Sequence, residues 1–245
     1  MRRKHFEVGE TAVTILGKPA FFDVAEESIF RSRDIIQRFI HREPLFGVTL
    51  EPYQPPSDAP PLIRRMCDAA AMAGVGPMAA VAGTIAERAV LDMRGAGAEQ
   101  AVVDNGGDIA FLLRERVTVA IYGGEEFRGL GFQMAPREGV FGMCTSSAAI
   151  GPSLSLGTAD VATVISPNVA LADACATRLG NLVTDPSDDV LSAAVAGVTA
   201  IPGVEGALVV AGGKIALKGA LPELIKVPDY PSKVTKIELM HQCHY

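Results

Sequence analysis

Residues 101–113 read AVVDNGGDIAFLL, two short apolar runs broken by Asp104-Asn105-Gly106-Gly107-Asp108. Read as a hairpin, this segment constrains the fold more than any other. Asn-Gly supplies the positive-φ residues of a tight turn, and the flanking runs must then pair antiparallel. A second reading fits the same residues. Paired glycines let main-chain N–H groups approach a ligand that a Cβ would hold off, so the break is also a candidate backbone cradle. The segment alone is compatible with both.

The pattern around it supplies the rest of the architecture. Short β runs continue beyond Gly97 at 101–104, 109–113, 117–122, 129–134 and 140–146, separated by turn residues, and predict a mostly antiparallel meander. Residues 161–166 add a strand, and 207–219 read as a final hairpin closing the core. Upstream, 11–24 read as two strands around Gly17-Lys18-Pro19. In 26–43, Ile29, Ile36, Phe39 and Ile40 recur at helical spacing, with acids first and bases last, and Pro44 ends the helix. Five prolines make 51–61 an extended connection. Helices are expected over 62–74, 77–97, 168–182 and 186–197. Helices layered on an antiparallel sheet give an α+β architecture, and 245 residues with 49% hydrophobic content suffice for one large domain over 1–245.

Composition excludes several classes of function. A net charge of −6, with no basic run beyond Arg2-Arg3-Lys4, gives no footprint for nucleic acid, and 6% aromatic residues supply no stacking surface. The N-terminus lacks the apolar stretch of a secretory signal. The uncharged stretch 69–86 is Ala- and Gly-rich with an internal proline, and reads as a tightly packed segment rather than a membrane span. Cys67, Cys144, Cys175 and Cys243 are scattered without a CxxC pair, as expected of reduced thiols in a cytoplasm. His241, Cys243 and His244 crowd the tail, without a fourth ligand at a recognisable spacing. His5 and His41 sit in charged, exposed contexts. Ser146-Ser147 lacks a Gly-x-Ser-x-Gly elbow, and Gly123-Gly124-Glu125-Glu126 reads as a surface turn.

A second constellation lies at Ala172-Asp173-Ala174-Cys175-Ala176-Thr177. Asp173 and Thr177 are four apart and share a helix face. A carboxylate and a hydroxyl among alanines make a hard-oxygen corner suited to Mg²⁺ carrying a phosphorylated ligand. The same two residues also fit plain structural roles, an acid near a helix N-terminus and a threonine bonding back to a carbonyl.

Together, a strand ending in Gly-Gly-Asp and a downstream Ala-Asp-x-x-Ala-Thr helix resemble the ApbE superfamily. Its best known members are Mg²⁺-dependent FAD:protein FMN transferases, and the chain looks most like a compact branch of it. The resemblance runs from about Val75 to Val183. Gly83-Thr84 matches a helical Gly-Tyr element, and CTSSA (144–148) matches a Thr-Ser-Gly segment.

The resemblance implies an ApbE-like (T-fold-like) α+β domain. It further implies Mg²⁺ ligands at Asp173, Thr177 and a main-chain carbonyl near Val81. A site for FAD, FMN or a related nucleotide would be formed by Gly83, Thr84, Asn105, Gly106, Gly107, Asp108, Thr145 and Ser146. The transferases' His-x-Ile-Asp-Pro-x-x-Gly loop is replaced here by IGPSLSLGTADVATVI (150–165), Ala82 stands where they carry lysine or glutamate, and Thr84 where they carry tyrosine. The expectation is therefore nucleotide binding with the reaction left open. Two alternatives are a residual FAD:protein FMN transferase or FAD hydrolase, and an accessory protein with a sulfur-metabolism partner, the branch being linked to sulfur assimilation and homocysteine formation. No membrane partner is expected, and the Ala/Gly-rich helices would serve a homo-oligomer interface.

Overall fold

The structure is a computed structural model and describes residues 1–8, 11–121, 129–147 and 157–227. In chain order the strands are β1 (Arg2–Val8), β2 (Thr11–Gly17), β3 (Ala101–Asn105), β4 (Asp108–Leu113), β5 (Val117–Ala120), β6 (Leu130–Met134), β7 (Arg137–Ser146), β8 (Val161–Ser166), β9 (Gly206–Ala211), β10 (Lys214–Gly219) and β11 (Glu223–Lys226). The helices are α1 (Phe22–Arg42), α2 (Pro44–Val48), α3 (Pro61–Ala73), α4 (Val81–Gly95), α5 (Val169–Leu182) and α6 (Asp188–Thr199).

Eight strands form one antiparallel sheet in the order β1-β2-β3-β4-β7-β8-β9-β10. The helices cover one face, where Ala110, Leu112, Cys144, Val164 and Val209 join the apolar residues of α1, α3, α4 and α5. The opposite face carries Ile109, Phe111, Phe141, Ile165 and Leu208 and packs on Phe132 and Met134 of β6. Because both faces of the central strands are covered, those strands read as unbroken apolar runs rather than as an alternation.

Three expectations are corrected. The hairpin placed over 11–24 lies instead at β1 and β2, which pair from Arg2↔Gly17 to Val8↔Thr11. Pro19 opens a 3-10 turn at a position where no N–H is needed, and Phe22, Ala25 and Ile29 extend the buried face of α1 at steps of three and four. The meander is also interrupted. β5 and β6 leave the main sheet and, with β11, make a second sheet of three strands in the order β11-β6-β5. Finally, β9 is buried along its length, but β10 is an exposed edge and does not close the core.

The uncharged stretch 69–86 is divided between α3 and α4, which meet at a bend of 105°. No single helix among the described residues is long and apolar enough to cross a membrane. Gly76 makes the bend possible, since a Cβ there would stand 1.9 Å from the Thr49 carbonyl oxygen.

Candidate functional site

The first turn of any helix leaves N–H groups without intrahelical partners, and Ala80, the residue before α4, has no side chain to cap it. The missing acceptor comes from α5, where Asp173 Oδ2 accepts the Gly83 N–H at 2.7 Å. The Ala82 N–H also bonds to the same carboxylate. The service is returned by Glu87 of α4, whose Oε1 accepts the N–H of Val169, the first residue of α5, at 3.1 Å. Arg65 of α3 holds Glu87 with a two-pronged fork at 2.9 and 2.6 Å. Each carboxylate also favours the positive end of the other helix's dipole. Gly83 permits this crossing, because a Cβ there would lie 2.7 Å from Asp173 Cβ and 2.8 Å from the Val169 carbonyl oxygen.

The glycine break between β3 and β4 is a two-residue hairpin in which Asn105 pairs with Asp108. Gly106 and Gly107 take φ of +70° and +105°, the positive values such a loop requires at both central positions. Their amides are both engaged within the protein. Gly106 N–H donates to the Ala12 carbonyl at 3.1 Å, and Gly107 N–H to Asp104 Oδ1 at 2.9 Å. Asn105 Nδ2 donates to the Ala82 carbonyl at 3.1 Å, tying the turn to the start of α4. The turn therefore accounts for both glycines by itself, without a ligand.

Asp108 reaches from this hairpin toward Asp173. Burial pushes its carboxyl well above the usual range, the charge of Asp173 adds to the effect, and Asp104 contributes in the same direction. Hydrogen bonds from the Cys144 thiol and the Thr145 N–H oppose the rise. Asp173 is pushed up to about 7 by burial, against the pull of the Gly83 and Ala82 amides. The same two aspartates, with burial leading, raise Cys144, while burial lifts Cys175 to about 12 and Cys67 to about 11. These three thiols are free and buried, and none has the lowered pKa of a nucleophile.

The structure brings Gly83, Asn105, Asp108 and Asp173 together. Val81 is the first residue of α4, and Thr177 lies one turn beyond Asp173, half-buried. The Thr84 hydroxyl donates back to the Ala80 carbonyl and so serves its own helix. Ser146 is buried opposite Ala162, on the helix side of the sheet. Thr145 contributes its main chain but not its hydroxyl, since Oγ1 meets Thr163 Oγ1 at 2.9 Å on the other face. Glu87 and Arg65 were not singled out from the sequence. Their one visible signal was an acid on the inward side of an Ala-rich helix. Among the described residues, no group of three or more His, Cys, Asp or Glu side chains is arranged to hold a metal ion. The His241–Cys243–His244 cluster and the Gly123–Glu126 turn fall outside the described residues.

An antiparallel sheet with helices on one face, and a Gly-Gly-Asp hairpin set against an Asp-bearing helix, define an ApbE-like α+β protein. A variant of the flavin transferase ApbE from Vibrio cholerae superposes with a TM-score of 0.52 at 10% identity, covering 89% of this chain and 97% of that one. At that identity the likeness concerns the fold. A family model described as "AbpE bacteria" matches residues 1–217. The UPF0280 protein of Methanocella arvoryzae is 47% identical over 232 residues, 94% of each chain. That of Methanosarcina acetivorans is 42% identical over 242 residues, 98% of this chain and 91% of the other. The chain belongs to the UPF0280 family of ApbE-like proteins.

Proposed function

We propose that the protein binds a flavin or related nucleotide through a divalent cation, Mg²⁺, held at the Asp108–Asp173 corner. One observation carries this reading. The buried Asp173 carboxylate acts on the half-buried Asp108, and the other charge acting on Asp108 is that of a third acid, Asp104. Burying like charges is costly unless one takes a proton or a cation lies between them. The donor set fits Mg²⁺, which prefers oxygen and typically uses one or two carboxylates while taking its remaining ligands from water and substrate phosphates. Asp173 and Asp108 would hold it, with the Thr177 hydroxyl and a carbonyl near Val81 as further oxygens. When bound, Mg²⁺ supplies charge neutralisation at a phosphate or pyrophosphate. The chain's own residues orient the corner: Asn105 ties the hairpin to α4, and Gly83 lets α5 bring Asp173 close. Protein flavinylation is not proposed, because 150–165 supply no histidine as a positioned base.

The test is a titration of metal-stripped protein with FAD and FMN, with and without Mg²⁺, followed by analysis for FAD cleavage. Binding that needs Mg²⁺ and is lost in both Asp173→Ala and Asp108→Asn supports the reading. Two variants are required because Asp173 also caps α4, whereas Asp108 does not. The absence of binding by well-folded wild-type protein would sink it. The internal engagement of both glycine amides favours a second reading, in which the corner is purely structural and the protein acts by association with another protein.

A further inference from the structure

On the face of the main sheet away from Asp173, a cleft of ≈ 380 Å³ lies between the two sheets. Its floor is apolar, with Met134, Phe141 and Ile165 almost fully buried and Leu221 beside them. Two arginines line it, Arg116 and Arg137. Arg137 is placed there by an irregularity in the sheet. Phe111 pairs with Phe141 and Leu113 with Arg137, so one residue of β4 between these pairs opposes three of β7. Gly139, with φ of +81°, lies within that surplus. Such bulges bend a strand and re-aim its side chains. In a regular strand, residues four apart are separated by roughly 13 Å. Here the Arg137 guanidinium sits 3.7 Å from the centre of the Phe141 ring, which in turn stacks on Phe111 at 5.1 Å.

Packing explains part of this arginine. One terminal nitrogen, Nη1, pairs with Glu205 at 2.6 Å, while the other, Nη2, is buried with no hydrogen-bond partner. A buried donor left unpaired is costly, and a guanidinium offers its two prongs in the geometry that carboxylates and phosphates accept. Arg116 Nη1 bonds to the neutral Gln133 amide at 3.1 Å, which leaves its charge in place. Of the lining carboxylates, Glu205 is committed to Arg137, and Glu223 is exposed on β11.

We infer that this cleft is a binding site for a small organic anion, a carboxylate or phosphate on an apolar body, held by Arg137 over the Phe141 floor. The volume lies within the range of small-molecule sites. The site is separate from the Asp108–Asp173 corner and needs no metal.

The test is methyl NMR of the full chain titrated with benzoate, phenyl phosphate and, as a control of the same shape and opposite charge, benzylamine. Benzoate, phenyl phosphate or both should shift the Met134, Ile165 and Leu221 methyls saturably, identically with and without Mg²⁺, while benzylamine leaves them in place. The anion that binds more tightly identifies the head group. Arg137→Lys, which keeps the charge and loses the fork, should weaken binding about tenfold, and Arg116→Gln should weaken it less. If no saturable shift appears in the wild type by about 10 mM, or if benzylamine shifts the same methyls as strongly, the inference is wrong whatever the variants do.

Discussion

On the helix side of the main sheet, Asp108 and Asp173 bring two acids together and leave a surplus of negative charge. On the far side, at Arg137, a donor is left over. The first imbalance calls for a cation or a proton and the second for an anion. Their structural roles differ as well. Asp173 is committed to capping α4, so its removal would disturb a helix crossing, whereas Nη2 of Arg137 serves nothing visible in the fold. A polar group already used by the architecture is weak evidence for a ligand, and one the architecture leaves unpaired is stronger evidence.

The largest effect that would sharpen this contrast lies at Gly83. Gly83→Val should cost about 3 kcal/mol or more, because its side chain has backbone and Asp173 Cβ closer than contact distance. Denaturant unfolding reads it, and a loss under about 1 kcal/mol would mean the α4–α5 crossing is looser than described. Next comes an asymmetry between the two aspartates. At pH 7.5 without metal, Asp173→Ala should destabilise by roughly 1–3 kcal/mol by orphaning the Gly83 and Ala82 amides. Asp108→Asn should be neutral or stabilising, since it removes a like charge acting beside Asp173. Equal losses in the two variants would break the comparison.

Acidity supplies a third test. Asp173 holds its proton up to about 7 when folded, and Asp108 is also raised, so the folded state binds more protons than the unfolded chain above pH 4. With respect to this pair, the metal-free protein should therefore be most stable at and below about pH 4. It should lose that stability as pH climbs toward 7, with a shallower slope in Asp108→Asn. Mg²⁺ should stabilise more at pH 8 than at pH 5 in thermal melts, and a pH-independent Mg²⁺ effect would detach the cation from these carboxylates. The smallest effect concerns Gly106. Its Cβ would meet nothing within 4 Å, so Gly106→Ala should cost only the left-handed backbone penalty, about 1 kcal/mol, and leave FAD and FMN binding unchanged. A large change in binding with that small loss would restore the cradle reading.

Local pattern carried much of the fold. The Ile29–Ile36–Phe39 spacing, the apolar runs of β3, β4, β7 and β8, and the helical setting of Asp173 were all legible, because each depends on residues near in sequence. Residues 19–24 were misread because a short apolar run with paired phenylalanines has no period of its own. β1 is hard to read from sequence because Arg2-Arg3-Lys4, His5 and Glu7 leave only Phe6 and Val8 as apolar signal. The partnerships that make the sites were out of reach. Asp108 meets Asp173 across 65 positions of chain, Glu87 meets Val169 across 82, and the Arg137–Phe141 contact depends on a change of register set by another strand. Nothing in a local window encodes such pairings.

The exchange of carboxylates between α4 and α5 also bears on how the molecule comes apart. The Gly83 amide of α4 and the Val169 amide of α5 find their acceptors only when the two helices dock, and the two bonds that join them close loops of 90 and 82 residues. The amides at 82–83 and at 169 should therefore lose protection against hydrogen exchange in one concerted opening rather than by independent fraying. Breaking either carboxylate should release both helix starts together.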